Sequence, residues 1–415
     1  MYDLCIVGGG AAGMSCAIAA AEKGLKVIVC DRNNKIGKKL YATGNGKCNI
    51  TNHDMNLQGK YNSSNDGYAD FLDCCLEGQP GEQIIEFCNS LGVLTYSAGG
   101  YVYPLSSQAS TVVWAMLDRM KEYGVQIDSK REITDIDKID NHFVVKCENG
   151  QITASQVVLA CGGRSYPALG GTVSGYNLAK SFGHRIIPVR PSLCGLETED
   201  DFTGISGVRT QAKAYLLSED KRVSQVESGE LQIASYGVSG IMIFNLSSQA
   251  GRLLHEGKSV SISLNLLPEL DMEEIKRMYE LSQSRTVIGF LNGFINDKLA
   301  QYFAGRHGID GKQKLSSVKC DKIYNLIDEL YDFRININGL KDYDSAQVCA
   351  GGVDISDVDP HTMMSKITPG LYITGELLDI DGVCGGYNLT FAMLTGLRAG
   401  RAAAEKINMI GRENA

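Results

Sequence analysis

Residues 5–17, CIVGGGAAGMSCA, place Gly8, Gly9 and Gly10 in a row and a fourth glycine at Gly13. Without a Cβ atom, glycine weakens any helix or strand that contains it. Such a run persists where backbone must turn sharply or lie close to something else. The flanks say which. Residues 2–7 are an apolar run suited to a buried parallel strand. Residues 11–23 are alanine-rich and helical by propensity, Gly24 ends them, and 25–30 read as a second buried strand. This is a β-α-β unit. Gly8-x-Gly10-x-x-Gly13 thus opens a helix directly after a strand. Its first glycine permits the tight turn, its second lets backbone approach a diphosphate, and its third allows close helix–strand packing. The amides around Ala11 and Ala12 and the positive end of the helix dipole face that anion. Asp31 closes the second strand eighteen residues after Gly13, where a carboxylate accepts from ribose hydroxyls.

The rival phosphate loop, G-x-x-x-x-G-K-[ST], fits Gly8 and Gly13 but fails at Met14, which stands where its lysine must be. The loop alone leaves FAD and NAD both open. No second G-x-G-x-x-G occurs, so any nicotinamide binds without such a domain of its own.

At 415 residues two or three domains are expected. A formal net charge of -8 argues against a nucleic-acid partner. Asp3 and Glu22 bracket eighteen uncharged residues, but no Lys or Arg precedes them and glycines interrupt them, so neither a membrane span nor a signal peptide is expected. The thirteen cysteines include no C-x-x-C pair, and no histidine lies at zinc spacing. Reduced thiols, no metal and a cytoplasmic location are the expectation.

Further along, 107–123 carry a helical period through Val112, Val113, Met116, Leu117 and Met120. Residues 131–160 alternate and turn at Asp140-Asn141 and Asn149-Gly150, as a β-meander does. Short strand-like runs over 190–266 suggest an antiparallel barrel or sandwich, and 271–330 are helical in spacing. From Gly370 the chain returns to strand, glycine turn and helix. The expected fold is α/β: a discontinuous Rossmann-like domain over 1–188 and 367–415, an inserted β-barrel over 189–268 and 325–366, and a helical part over 269–324.

Three more glycine-rich stretches follow strands. In GKKLYATGNGKCNITN (37–52), Lys38 and Lys39 are placed to neutralise a diphosphate, and Thr43, Gly44, Asn45, Gly46 and Asn49 to offer polar groups to a flavin ring. Cys48 lies here without a nearby thiol partner. In TGELLDIDGVCGGYNL (374–389), Gly375 and Glu376 suit a ribityl chain. Gly385, Gly386 and Asn388 open a helix whose amides face the flavin pyrimidine ring, with Cys384 and Tyr387 beside it. In LACGGRSYPALGGTVSGY (159–176), Gly162 sits at the strand end, and Arg164 and Tyr166 line an entrance. His184 reads as structural. Tyr387 and Tyr166 are the candidates for a proton donor; spacing alone nominates no acid.

Together with GGYVYPLSSQAS and AQVCAGGV, these stretches resemble bacterial NAD(P)/FAD-dependent oxidoreductases of the YhiN-like or BaiN-like family, which includes aminoacetone oxidases and bile-acid enone reductases. The resemblance runs nearly end to end. It implies non-covalent FAD, a discontinuous FAD domain, an inserted barrel and a helical lobe. It also implies that Gly8, Gly10, Ala12 and Gly13 meet the diphosphate, and that Asp31 and Arg32 meet the ribose. Ile133 lies on the strand whose backbone meets adenine, Lys39 and 43–49 run beside the flavin, and Gly375, Glu376, Gly386 and Asn388 form the C-terminal flavin motif. Two departures occur near a substrate face: Lys47 where the family carries arginine, and Met242 after GVSG where many relatives carry Leu-Ser-Gly-Pro.

The activity expected is NAD(P)H-driven reduction of a C=C bond conjugated to a carbonyl, of steroid or bile-acid type, with a small molecule as partner. The alternatives are a flavin oxidase acting on a small amine with dioxygen, and a non-catalytic FAD-bound scaffold or RNA-modification partner.

Overall fold

A computed structural model describes residues 1–413. The chain divides into two compact units, Met1–Arg190 with the segment from Gln347 onward, and Pro191–Ala346.

The first unit is built on β1 (Tyr2–Val7), α1 (Ala11–Glu22), β2 (Val27–Asp31), α2 (Ala109–Glu122), β3 (Gln126–Ser129), β4 (Ile133–Ile139), β5 (His142–Cys147), β6 (Gly150–Leu159), β7 (Leu371–Ile373) and α3 (Tyr387–Glu413). Strands β3, β2, β1, β6 and β7 are parallel neighbours in that order. The first half of β6 also closes the antiparallel meander β4–β5–β6, turning at Asp140 and Gly150 as the sequence predicts. Leu4, Cys5 and Ile6 are wholly buried, as in a parallel strand covered on both faces. Val7 pairs with Cys30 on one side and with Leu159 on the other. The carboxyl ends of β1, β2 and β6 therefore lie level, and the turns that follow them emerge at one edge of the sheet. Ligands of open α/β sheets bind at that edge.

Small residues set how closely α3 lies on α1. A Cβ on Gly396 would fall 2.2 Å from the Ala12 carbonyl oxygen, and one on Gly400 would fall 2.4 Å from that of Cys16. Since β7 leads into α3 through residues 374–386, this contact carries the C-terminal glycine turn to the start of α1.

In the second unit, strand Arg209–Ser218 pairs antiparallel with both Glu227–Ala234 and Val260–Asn265. The path continues through Gly237–Ser239, Leu196–Thr198 and Phe333–Leu340 back to Val260–Asn265, so six strands close a barrel. Closure removes the sheet edges. Two differences from the sequence reading stand out. Within the strand-rich stretch, Ile241–His255 is a 15-residue helix. Its buried Met242, Ile243, Leu246, Ala250 and Leu253 recur at helical spacing and join the barrel core. Residues 347–366, assigned above to the barrel, pack in the first unit, where Val353, Ile355 and Val358 enter the core. The helices over 272–331 share one hydrophobic cluster with the barrel strands. No helix among the described residues is long and apolar enough to cross a membrane.

Candidate functional site

At the end of β1 the chain turns through Gly8, whose φ of +107° disfavours any side chain and whose Cβ would lie 2.3 Å from the Ala160 carbonyl oxygen. A Cβ on Gly13 would lie 1.9 Å from the Gly8 carbonyl oxygen. Gly10 is different: nothing lies within 4 Å of its Cβ position. It is the N-cap of α1, no side chain caps the helix, and Met14 donates back to the Gly10 carbonyl at 2.9 Å. The turn thus has two glycines pressed against backbone and one facing open space, above the amides of Ala11, Ala12 and Gly13. Open backbone at an uncapped helix start suits a diphosphate.

Asp31 stands at the end of β2. Its carboxylate accepts from the Gly9 amide at 2.8 Å, the Asn33 amide at 2.7 Å and Asn33 Nδ2 at 3.0 Å. It braces the glycine turn, and an ionised carboxylate has about four acceptor positions, so room is left for a ribose hydroxyl. Asp31, Arg32, Ile133 and Gly8 line one cleft, with Arg131, Glu132 and Cys161. Arg32 reaches Glu132 at 3.8 Å across it. Gly162, with φ +68°, turns the chain just after β6.

The segment after β2 is tied to this turn by the Gly37 amide, which donates to the Gly9 carbonyl at 2.7 Å. Lys38 and Lys39, expected at a diphosphate, both make contacts inside the protein. Lys38 Nζ donates to the Ala168 carbonyl at 2.7 Å. Lys39 Nζ donates to Ser165 Oγ at 2.6 Å and pairs with Glu376 Oε2 at 2.8 Å. Glu376 Oε1 accepts from Ser165 Oγ and from the Cys349 amide, each at 3.0 Å. Glu376, expected against a ribityl chain, anchors that network, and spacing gave no signal for Ser165.

Beyond it, Gly44 (φ 55°), Asn45 (φ 54°), Gly46 (φ 84°) and Cys48 (φ 59°) take left-handed conformations, leaving Gly44–Gly46 exposed. Thr43 Oγ1 donates to the Leu40 carbonyl at 2.7 Å, and Asn49 Nδ2 donates to the Thr51 and Val102 carbonyls at 3.0 Å. Those two side chains therefore shape the loop, while its backbone is what faces outward. Burial pushes the Cys48 thiol up to about 11, so it remains protonated near neutral pH. None of the thirteen cysteines forms a disulfide among the described residues.

The C-terminal motif closes the site. Gly375 (φ +65°) sits against α1, its Cβ position 3.1 Å from Ala12 Cβ, and its amide donates to Thr395 Oγ1 at 3.1 Å. Gly386 is pressed on the Thr51 backbone, where a Cβ would lie at 2.6 Å. Asn388 spends its amide on Gly382, accepting from its N–H at 2.9 Å and donating to its carbonyl at 2.7 Å, so it braces the turn. Tyr387 is buried. Its hydroxyl donates to the Asp54 carbonyl at 2.8 Å, with Lys60 beside it, and burial raises its pKa. Half-buried Tyr166 takes a left-handed φ of +52°, and its carbonyl accepts from the Leu169 amide. A residue that the sequence reading did not single out also meets this turn: the Tyr101 ring lies 2.9 Å from the Cβ position of Gly385. Its only sequence signal is the aromatic alternation of YVY. Among the described residues, no group of three or more His, Cys, Asp or Glu is arranged to hold a metal.

A parallel sheet whose carboxyl edge carries a glycine turn, an uncapped helix start and an acidic strand end defines a Rossmann-type dinucleotide-binding protein, here with a barrel inserted. The chain belongs to the HI0933-like family: the HI0933-like protein Rossmann domain matches residues 2–402. This bears out the resemblance read from the sequence. It is 36% identical over 413 residues to a 3-dehydro-bile acid delta(4,6)-reductase of Clostridium scindens, covering 98% of this chain and 100% of that one. It is 28% identical over 395 residues to a ribosomal RNA dihydrouridine synthase of Haemophilus influenzae, covering 93% and 94%. Among solved structures, 3-ketosteroid delta1-dehydrogenase from Sterolibacterium denitrificans in complex with 1,4-androstadiene-3,17-dione shares the fold, with a TM-score of 0.50, 14% identity and coverage of 98% and 99%.

Proposed function

We propose that this chain is an FAD-dependent oxidoreductase that uses NAD(P)H to reduce a C=C bond conjugated to a carbonyl. The observation that carries the flavin reading is the cradle at Gly10, an open, uncapped helix start between two glycines that touch backbone. Residues Gly8–Gly13 hold the diphosphate, Asp31, Arg32 and Ile133 the adenosine end, and the 43–49 backbone and the Gly385–Gly386 turn the ring end. FAD, when bound, supplies a centre that accepts and donates hydride. The chain's own part is to seat that group, to place the positive end of α3 beside it, and to orient an acceptor.

The substrate class rests on the relatives' names. A 3-oxo bile acid with double bonds at positions 4 and 6 is a conjugated dienone. Dihydrouridine is uridine reduced at the double bond conjugated to a ring carbonyl. Both names describe one chemistry, saturation of an alkene next to C=O. We favour the free steroid-type enone because its named relative is 36% identical against 28% for the RNA enzyme, and because the chain carries a net charge of -8. The second reading, a uridine in RNA, is supported by the RNA-acting relative itself.

Anaerobic mixing with NADH and with NADPH tests the proposal. The oxidised flavin absorbance bleaches with at least one of them and returns on adding a 3-oxo-4,6-diene steroid. No bleaching by either nucleotide contradicts the reductant. Return of colour only with a uridine-containing RNA moves the substrate to the second reading, and peroxide release with an amine moves the activity to an oxidase.

A further inference from the structure

The turn at 382–390 is crowded with polar groups that have already found partners. Asn52 Nδ2 donates to the Gly385 carbonyl at 3.1 Å, and Thr390 Oγ1 donates to that of Gly386 at 3.0 Å. Asn388 is spent on Gly382 and the Tyr387 hydroxyl on Asp54. The Tyr101 hydroxyl makes no hydrogen bond among the described residues, and the side chain is 37% exposed. Its ring is nonetheless held in place. Tyr101–Pro104 pairs with Thr51-Asn52 on one side and Thr95–Ala98 on the other, and Asn52, opposite Tyr101, clamps the Gly385 carbonyl. Next along the hairpin, Tyr103 stacks on Tyr96 at 5.7 Å. An unspent donor on a rigid hairpin, against the turn that opens α3, has a place but no partner inside the chain.

We propose that Tyr101 is the hydrogen-bond donor to the carbonyl oxygen of the acceptor. This rests on the reading of the 385–386 turn as the ring end of the flavin site. Saturation of a conjugated alkene builds negative charge on its carbonyl oxygen, so a donor there strengthens its bond as the reaction proceeds. Tyr387 is less suited to this role, since its hydroxyl donates to the Asp54 carbonyl, and the structure shows no contact of Tyr166 with this turn.

The test is Tyr101→Phe, which removes one oxygen and keeps the ring against Gly385. FAD affinity and the visible spectrum of the holoprotein are expected to match wild type, which shows that the variant is folded and loaded. Raman difference spectra of 4-androstene-3,17-dione bound to the oxidised holoprotein then read the hydrogen bond directly. The enone C=O stretch is expected at lower frequency in wild type than in Tyr101→Phe. Steady-state kcat is expected to fall roughly 10²-fold, with kcat/KM falling at least as much. Equal C=O frequencies in the two proteins, or a ketone that binds neither, overturn the assignment. Failure of the flavin reading shows separately, as wild-type protein that takes up no FAD.

Discussion

Gly10 and His184 show how one residue's surroundings set what it does. Gly8 and Gly13 are fixed by the chain itself, because a Cβ at either would strike backbone oxygen. Gly10 has no such neighbour and an ordinary φ of -82°, so the folded chain alone does not require glycine there, whereas the diphosphate proposed above would. His184 is buried, and its Nε2 bonds to Ser365 Oγ at 2.9 Å. Burial lowers its pKa below the ordinary 6.5, with Asp357 opposing in part. As pH falls through about 6.5, the unfolded chain therefore takes up a proton that the folded chain refuses, and stability falls. Urea midpoints measured between about pH 7.5 and about pH 5.5 should drop more for wild type than for His184→Gln, even though the variant starts lower. Equal slopes would place the loss in other groups.

At the scale of elements, the contact between α1 and α3 decides whether the N-terminal and C-terminal glycine turns meet. Gly400→Leu puts a side chain against the Cys16 carbonyl, 2.4 Å from its Cβ position, and is expected to cost about 1–3 kcal/mol in thermal or urea melts. FAD affinity should weaken with it, since α1 shifts. Gly305→Ala is the control: it is also helical, with nothing within 4 Å of its Cβ position, and should leave both quantities near wild type. Much of this level was legible. The β-α-β unit and the meander follow from apolar runs and turn residues, and their observed bounds lie within two residues of those read from sequence. The helix Ile241–His255 was hidden by its setting, since a helical period between strands reads as more strand. What no pattern announces is side-chain pairing across long separations. Lys39 and Glu376 are 337 positions apart, and only the packed sheet edge shows that the lysine meets a carboxylate.

At the scale of the whole molecule, we propose that one sheet edge gathers four glycine-rich turns, distant in sequence, into a seat for FAD. The chain's closed barrel and its helices form a second unit with a core of their own. Asp31, the glycine turn and the C-terminal motif were readable because backbone chemistry limits which residues can stand there. Tyr101 was not, because an aromatic residue in a strand looks alike whether or not its hydroxyl has work to do. The seat is tested most directly by titrating FAD into apoprotein, following quenching of flavin fluorescence, for wild type and for Gly10→Ala. Wild type should bind one FAD per chain and turn yellow, while Gly10→Ala should keep the wild-type melting point without ligand and bind at least about tenfold more weakly. A wild-type protein that stays colourless in excess FAD, or a Gly10→Ala variant that binds it equally well, would contradict the account.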